Sequence, residues 1–302
     1  MCRLQTNGKV IMDRNLSYYP GCSLHGTAEE YDASTREICA LLGVGLHELD
    51  DWNCCGASSA HVLSKEASVL MPARNLALAG REGKDLLVPC AACYGRSKAA
   101  QAALEEDASL RDKFGETFAE DPPAKVSIVS LLDVLAEPAM LHRIQEQVKK
   151  PLAGLKTVCY YGCLLVRPPR VTGAANYEAP ESMDHVLTAV GATPLPWSYK
   201  TDCCGGGLAI GRSDLVAKLV DDLLMQAIDA GAEALVTACP MCQGNLDTRQ
   251  QEARQAFERD YELPIFYISE LVGLALGHPG VDAWWRKHLL DPRPLLRARE
   301  LM

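Results

Sequence analysis

The sequence predicts an α/β fold made of two pseudo-symmetric, duplicated halves with largely parallel sheets and with cysteines at strand carboxyl ends. Three observations predict it. Short apolar runs alternate with stretches of helical period along the chain. A cysteine framework occurs twice: Cys54-Cys55-Gly56 returns as Cys203-Cys204-Gly205, and Cys90/Cys93 as Cys239/Cys242, each 149 positions on (203 − 54 and 239 − 90). The framework cysteines also follow strand candidates, the rim at which such sheets collect ligands.

A length of 302 residues exceeds the usual single-domain size and divides, with the offset, into residues 1–150 and 151–302. The boundary falls at 149–154, where Lys149-Lys150-Pro151 ends a helical pattern. Thirty basic against 39 acidic residues leave a net charge of −9, which offers no global attraction for nucleic acid or an anionic membrane surface. No apolar run reaches the roughly 18 residues of a transmembrane segment. Residues 1–15 carry no apolar signal core, so a cytoplasmic, reducing location is expected. There, 13 cysteines indicate metal or redox chemistry rather than disulfides.

In the first half, residues 16–19 form a strand that delivers Cys22. Residues 27–42 have helical spacing through Ala28, Tyr31, Thr35, Ile38 and Leu42, opened by a capping box of Thr27 and Glu30. Residues 44–49 are the second strand and lead to Cys54-Cys55-Gly56. Residues 61–81 are helical, with Pro72 expected to kink or divide the helix, and 86–89 are a buried strand ending on Cys90. An alanine-rich helix at 94–110, a strand at 125–130 and a helix at 131–148, broken at Pro138, complete this half.

The second half repeats the order. Residues 157–161 lead to Gly162-Cys163 as 16–19 lead to Gly21-Cys22, but at an offset of 141 (163 − 22), so the later cysteines lie eight residues further on (149 − 141). Residues 167–180, rich in proline and with a glycine, are the loop that absorbs them. Residues 182–190 are a helix and 193–197 a strand towards Cys203. Residues 213–230 form an amphipathic helix with apolar Leu215, Leu219, Leu223, Met225 and Ile228. Strand 234–238 ends at Cys239, and strand 265–269 with helix 271–276 echoes 128–130 with 131–136.

The framework supplies two sets of five thiols: Cys22, Cys54, Cys55, Cys90 and Cys93, then Cys163, Cys203, Cys204, Cys239 and Cys242. A tetrahedral zinc site uses four ligands, so zinc in the first set stands as the alternative cofactor. Five clustered thiolates suit an iron–sulfur centre, in which adjacent cysteines bind different irons. Gly56 and Gly205 to Gly207 lack a Cβ and let backbone N–H groups approach cluster sulfurs.

On these residues both halves resemble the cysteine-rich CCG domain, and residues 16–277 resemble the HdrB-type subunit of heterodisulfide reductase. The tail segment Trp285-Arg286-Lys287-His288-Leu289-Leu290-Asp291-Pro292-Arg293 resembles the C-terminal end of that protein. The resemblance implies two noncubane [4Fe-4S] clusters, one on each set of five cysteines. It further implies thiol–disulfide chemistry in one-electron steps, with the set opened by Cys163 at the substrate as the catalytic site. Electrons would be exchanged with two partners in the same complex, a ferredoxin-like subunit (HdrC-type) and a flavoprotein (HdrA-type).

Similar subunits of bacterial complexes oxidise sulfane sulfur, so the implied substrates span disulfides, thiols and sulfane sulfur. Members that reduce the methanogen heterodisulfide place His after the cysteine opening the second set. Leu164 stands there. That departure points away from that substrate and motivates a second reading, an electron-transfer adaptor without its own substrate.

Other residues carry structural expectations. Cys39 is spaced into a helix core face and Cys159 into a buried strand, while Cys2 has no assigned role. His25, His61 and His185, and Arg167 and Arg170, are read as solvated or structural. The run Gly205 to Gly211 lacks the preceding strand and following acid of a dinucleotide fingerprint. Trp284, Trp285, Leu289 and Leu290 are expected in a terminal helix packed on the body.

Overall fold

The computed structural model describes residues 14–57 and 59–302; Cys2 lies outside them. Two four-stranded sheets are present, every pairing parallel. The first contains β1 (Arg14–Tyr18), β2 (Val44–Glu48), β3 (Leu86–Leu87) and β4 (Ile128–Val129) in the order β2-β1-β3-β4. The second contains β5 (Lys156–Tyr160), β6 (Thr193–Pro194), β7 (Ala234–Thr237) and β8 (Ile265–Tyr267) in the order β6-β5-β7-β8. The α/β duplication expected from the cysteine spacing is therefore the fold.

This order places the chemistry. In each sheet the chain steps outward from its first strand to one side, then crosses back to the other, leaving a crevice at the carboxyl ends of β1 and β3, and of β5 and β7. Cys22 follows β1 and Cys90 follows β3; Cys163 follows β5 and Cys239 follows β7. The vicinal pairs arrive from β2 and β6. The inner strand β3 is apolar throughout and β7 is apolar up to Thr237, as strands of a parallel sheet buried on both faces are, and both are buried at every position.

One buried apolar cluster runs through both halves, from Leu16, Tyr18 and Leu87 to Val158, Val236 and Phe266. A smaller one, with Leu70, Leu104 and Phe114, lies outside it. The helix Ile268–Ala275 of the second half packs on Glu29–Leu41 of the first. There Ser34 Oγ and Ser269 Oγ share a 2.7 Å hydrogen bond, and Tyr31 stacks on Tyr267 at 4.2 Å between centroids. Gly273 makes room for this packing, since a Cβ there would stand 2.6 Å from Trp284.

Local departures from the sequence expectations have physical causes. Helix Glu29–Leu41 starts after Ala28 with no side-chain cap, so Thr27 and Glu30 form no capping box; buried Glu30 faces Glu270 and His288 instead. The helical stretch expected to kink or divide at Pro72 is divided at Ser64 instead, whose hydroxyl accepts from Ala67 N–H and caps Lys65–Glu82. Pro72 lies inside that helix, as its eighth residue. The alanine-rich helix starts at Ala91 and stops at Glu106, where Asp107 caps a separate helix, Ala108–Phe118.

Helix Ser213–Asp229 buries Val216, Val220, Leu223, Leu224 and Ala227, so of the five apolar positions read as its face only Leu223 is buried; Leu215 is exposed. Residues 167–180 include one short helix, Pro169–Thr172. Helices Pro240–Thr248 and Gln250–Phe257 are not among the elements expected from the sequence. Trp284 and Trp285 are buried as expected, whereas Leu289 is 68% exposed.

Candidate metal centres

Each set is assembled from the same parts. Cys22 sits in the short helix Gly21–Leu24 and is exposed, Cys54 is exposed and Cys55 buried in the loop after β2, and Cys90 caps the helix Ala91–Glu106, with Cys93 inside its first turn. Cys163 is half-buried, Cys203 exposed and Cys204 buried, and Cys239 caps the helix Pro240–Thr248, with Cys242 in its first turn. Both closing pairs therefore lie at helix N-termini, where backbone N–H groups and the helix dipole favour thiolates.

The sulfurs converge. Cys55 Sγ and Cys93 Sγ are 3.2 Å apart, Cys54 Sγ and Cys22 Sγ 3.9 Å, and Cys204 Sγ and Cys242 Sγ 3.7 Å. These separations exceed a disulfide bond, and the twelve described cysteines are all free thiols. Glycine makes the approach possible: Gly21 at φ +71° and Gly162 at φ +65° would place a Cβ 2.8 Å from Cys93 Sγ and 3.0 Å from Cys242 Sγ. The loop glycines also donate to sulfur, Gly56 N–H to Cys54 Sγ at 3.4 Å and Gly205 N–H to Cys203 Sγ at 3.3 Å.

The vicinal loops are pinned from behind. Tyr19 Oη donates to the Asn53 carbonyl at 2.8 Å, and Tyr160 Oη to the Asp202 carbonyl at 2.6 Å. Asn75 adds two bonds to Asn53, accepting from its N–H at 2.9 Å and donating to its carbonyl at 2.7 Å.

Crowded thiols share protons unevenly. Hydrogen bonds from Cys54 and Cys93, with Arg96 nearby, hold Cys55 down to about 4, while Cys54, which donates, is pushed up. A bond from Cys163 holds Cys203 down to about 6, and Cys163 rises. Cys239 is held low by bonds from Cys242 and Cys90.

That last contact joins the two sets. Cys90 and Cys239, one from each half, stand close enough for each to shift the other's thiol, Cys90 upward and Cys239 downward, and the Tyr31 hydroxyl lies 3.3 Å from the Pro89 carbonyl and 3.2 Å from the Ala238 carbonyl, the residues just before them. Cys39 and Cys159 stay apart in the core, as expected; burial pushes the Cys39 thiol up to about 12.

Among the described residues no group of three or more His, Cys, Asp or Glu side chains has the arrangement of a single-ion site. The donor chemistry fits an iron–sulfur group: five thiols per set, glycines where sulfur needs room, and N–H groups aimed at sulfur.

Of the singled-out histidines and arginines, His25, His61 and Arg167 hold structural bonds. His25 pairs with Glu48 at 3.0 Å, His61 Nδ1 lies 3.0 Å from Arg96, and His185 is exposed. Arg167 donates to Thr201 Oγ1 at 2.9 Å, and Arg170 is exposed. Leu164 is half-buried against the other half, its carbonyl 2.8 Å from where a Gly95 Cβ would stand.

Sequence reasoning missed Arg96 and Asn245, which reach the vicinal loops. Both lie three residues past the closing cysteine, and aligning the repeats at the 149-residue offset would have exposed the pair. It also missed the buried ion pair of His288 and Glu270 at 2.9 Å.

Two α/β repeats with thiols gathered at their switch points define a duplicated cysteine-rich redox protein. The chain belongs to the CCG family, described as a cysteine-rich domain, which matches it twice, at residues 16–96 and 157–247. It is 31% identical over 287 residues to the 8-methylmenaquinol:fumarate reductase membrane anchor subunit of Wolinella succinogenes, covering 94% of this chain and all of that one.

It is 27% identical over 268 residues to the B-type subunit of the ferredoxin/F420H2-dependent CoB-CoM heterodisulfide reductase of Methanosarcina acetivorans, covering 87% and 89% of the two chains. Among solved structures, a hypothetical protein from Helicobacter pylori shares the fold, with a TM-score of 0.75 and 15% identity, over 92% of this chain and 52% of that one. The resemblance to the HdrB-type subunit of heterodisulfide reductase thus extends to whole-chain similarity. No described helix is long and apolar enough to cross a membrane.

Proposed function

We propose that this chain is the iron–sulfur subunit of a multisubunit redox complex and carries electrons through two noncubane [4Fe-4S] clusters. Cys22, Cys54, Cys55, Cys90 and Cys93 would hold the first, and Cys163, Cys203, Cys204, Cys239 and Cys242 the second, in domains 1–150 and 151–302. The clusters supply one-electron chemistry. The Tyr31 hydroxyl between the Pro89 and Ala238 carbonyls carries this reading, because it sets Cys90 beside Cys239 and so brings the two thiol sets together at the seam of the halves. Iron and acid-labile sulfide in the anaerobically reconstituted chain test it; zinc alone would support the alternative and sink it.

The terminal reaction divides two readings. In the first, the second set meets a disulfide, thiol or sulfane sulfur in the cytoplasm, and a ferredoxin-like subunit with a flavoprotein exchanges the electrons. Its exposed Cys203 and half-buried Cys163 support access. In the second, the chain passes electrons in a quinol-linked complex and has no sulfur substrate.

Two observations favour the second. The relative matched over its full length is named for menaquinol:fumarate reductase, and Leu164 places an alkyl side chain, packed at the seam, where a proton donor would serve thiol chemistry. The assembled complex decides: disulfide-dependent oxidation of the reduced clusters supports the first reading, and menaquinone-dependent oxidation without it supports the second.

A further inference from the structure

The two sets share a backbone frame, yet the charges beside them differ. Across the 149-residue offset Arg96 corresponds to Asn245 (245 − 96), and Asn53 to Asp202 (202 − 53). Arg96 and Asn245 do one structural task. Arg96 Nε donates to the Ala57 carbonyl at 3.2 Å, and Asn245 Nδ2 to the Cys204 carbonyl at 2.7 Å, each tying its helix to its vicinal loop. One carries a full positive charge and the other none.

The partners of Arg96 do not cancel that charge. Among the described residues it meets, beyond the carbonyl, only His61 Nδ1, at 3.0 Å, and since a guanidinium can only donate, that nitrogen is an unprotonated acceptor. A second cation, Arg74, donates to Asn53 Oδ1 at 3.2 Å, beside Cys54, and also pairs with Asp51; its counterpart is the buried, apolar Leu223 (223 − 74).

The second set has an acid beside its vicinal pair. The Asp202 carboxylate adjoins Cys203, and its backbone carbonyl takes the tyrosine bond that Asn53 takes in the first half. Of the nearby cations, Lys200 is committed to Asp184 at 2.8 Å, and Arg167, whose partner is the neutral Thr201 Oγ1 at 2.9 Å, leaves a positive charge that partly offsets Asp202.

Reduction adds negative charge to a thiolate-bound cluster, so a neighbouring cation favours the reduced form and a neighbouring anion opposes it. We propose that Arg96 and Asp202 make the first cysteine set the higher-potential centre, so that an electron shared across the Cys90 and Cys239 seam rests in the first half. One electron moves between the centres; no bond forms or breaks. This rests on the reading that both sets hold iron–sulfur clusters. It also orders the halves, making the second set the site that gives up its electron and the first the site that stores it.

The test is a redox titration followed by electron paramagnetic resonance on the full chain, reconstituted anaerobically after its iron content is measured. Arg96→Asn installs the residue that already does this job in the second half, so the fold should tolerate it. It should lower the higher of the two potentials by about tenfold in the one-electron equilibrium, roughly 59 mV. Asp202→Asn should raise the lower potential, and Arg96→Lys should keep most of the wild-type value.

With wild-type iron content, an Arg96→Asn change that moves the lower potential or neither overturns the proposal. So does an Arg96→Lys loss equal to that of Arg96→Asn, which would mark the residue as structural. A wild-type chain that takes up no iron instead overturns the cluster reading beneath it, along with the proposal.

Discussion

Substituting Gly21 by Ala tests how closely backbone and sulfur approach. Gly21 has φ +71°, and its added Cβ would stand 2.8 Å from Cys93 Sγ. The left-handed conformation costs a non-glycine residue about 1–2 kcal/mol, and forcing an atom into this packed space costs roughly 1–3 kcal/mol more. Gly83 isolates the first contribution, since it has φ +64° and nothing within 4 Å of its Cβ position.

Gly21→Ala should therefore lie roughly 1–3 kcal/mol below Gly83→Ala in stability, a few degrees or more in Tm at about 2–4 °C per kcal/mol. If Cys93 Sγ swings aside instead, the cost moves to the cluster proposed for the first set, and iron content should fall by about half. Calorimetry and iron analysis on the two variants read both outcomes. Equal Tm values with wild-type iron in Gly21→Ala would refute the reasoning.

Other predictions follow from buried groups. Burial works against a charged His288, but Glu270 above all, then Asp247 and Glu30, outweigh it and raise its pKa from 6.5 to about 9. Because the folded value is the higher one, its contribution to stability is fully present below about pH 6.5 and is lost as pH rises through about 9. Tm measured from pH 6 to 10 should show this decline, and His288→Gln should be less stable by about 3–5 kcal/mol at pH 6, because Glu270 is left buried and unpaired; a pH-independent difference between the two proteins would contradict it.

Cys54, Cys93, Cys163 and Cys242 are all held above the ordinary thiol value by neighbouring thiols and burial. Cluster assembly must release their protons, so iron uptake during reconstitution should be more complete at pH 8.5 than at pH 6.5. Tyr31→Phe removes the hydroxyl beside the Pro89 and Ala238 carbonyls and should cost about 1–3 kcal/mol, lowering both halves together when unfolding is followed by circular dichroism and tryptophan fluorescence.

Much of the fold was legible because its signals are local. Buried parallel strands show as short apolar runs, and breaks such as Pro138 have local chemistry. The boundary at Ser64 was missed because one hydroxyl cap outweighed a proline that the preceding turns could absorb. The face of Ser213–Asp229 was misread because Leu, Met and Ile lie almost all round that helix, and only its neighbours select Val216, Val220, Leu223, Leu224 and Ala227.

Residue types and spacings alone specified the duplication, the two sets of five cysteines and the glycines beside them, because a thiol framework is written in those terms. How the sets meet came from the packing. The seam of Cys90 and Cys239 and the Tyr31 hydroxyl behind it depend on how two sheets pack through one core. Contacts between residues about 149 positions apart leave no mark in local periodicity, so the pairing of the halves appears only when the chain is folded.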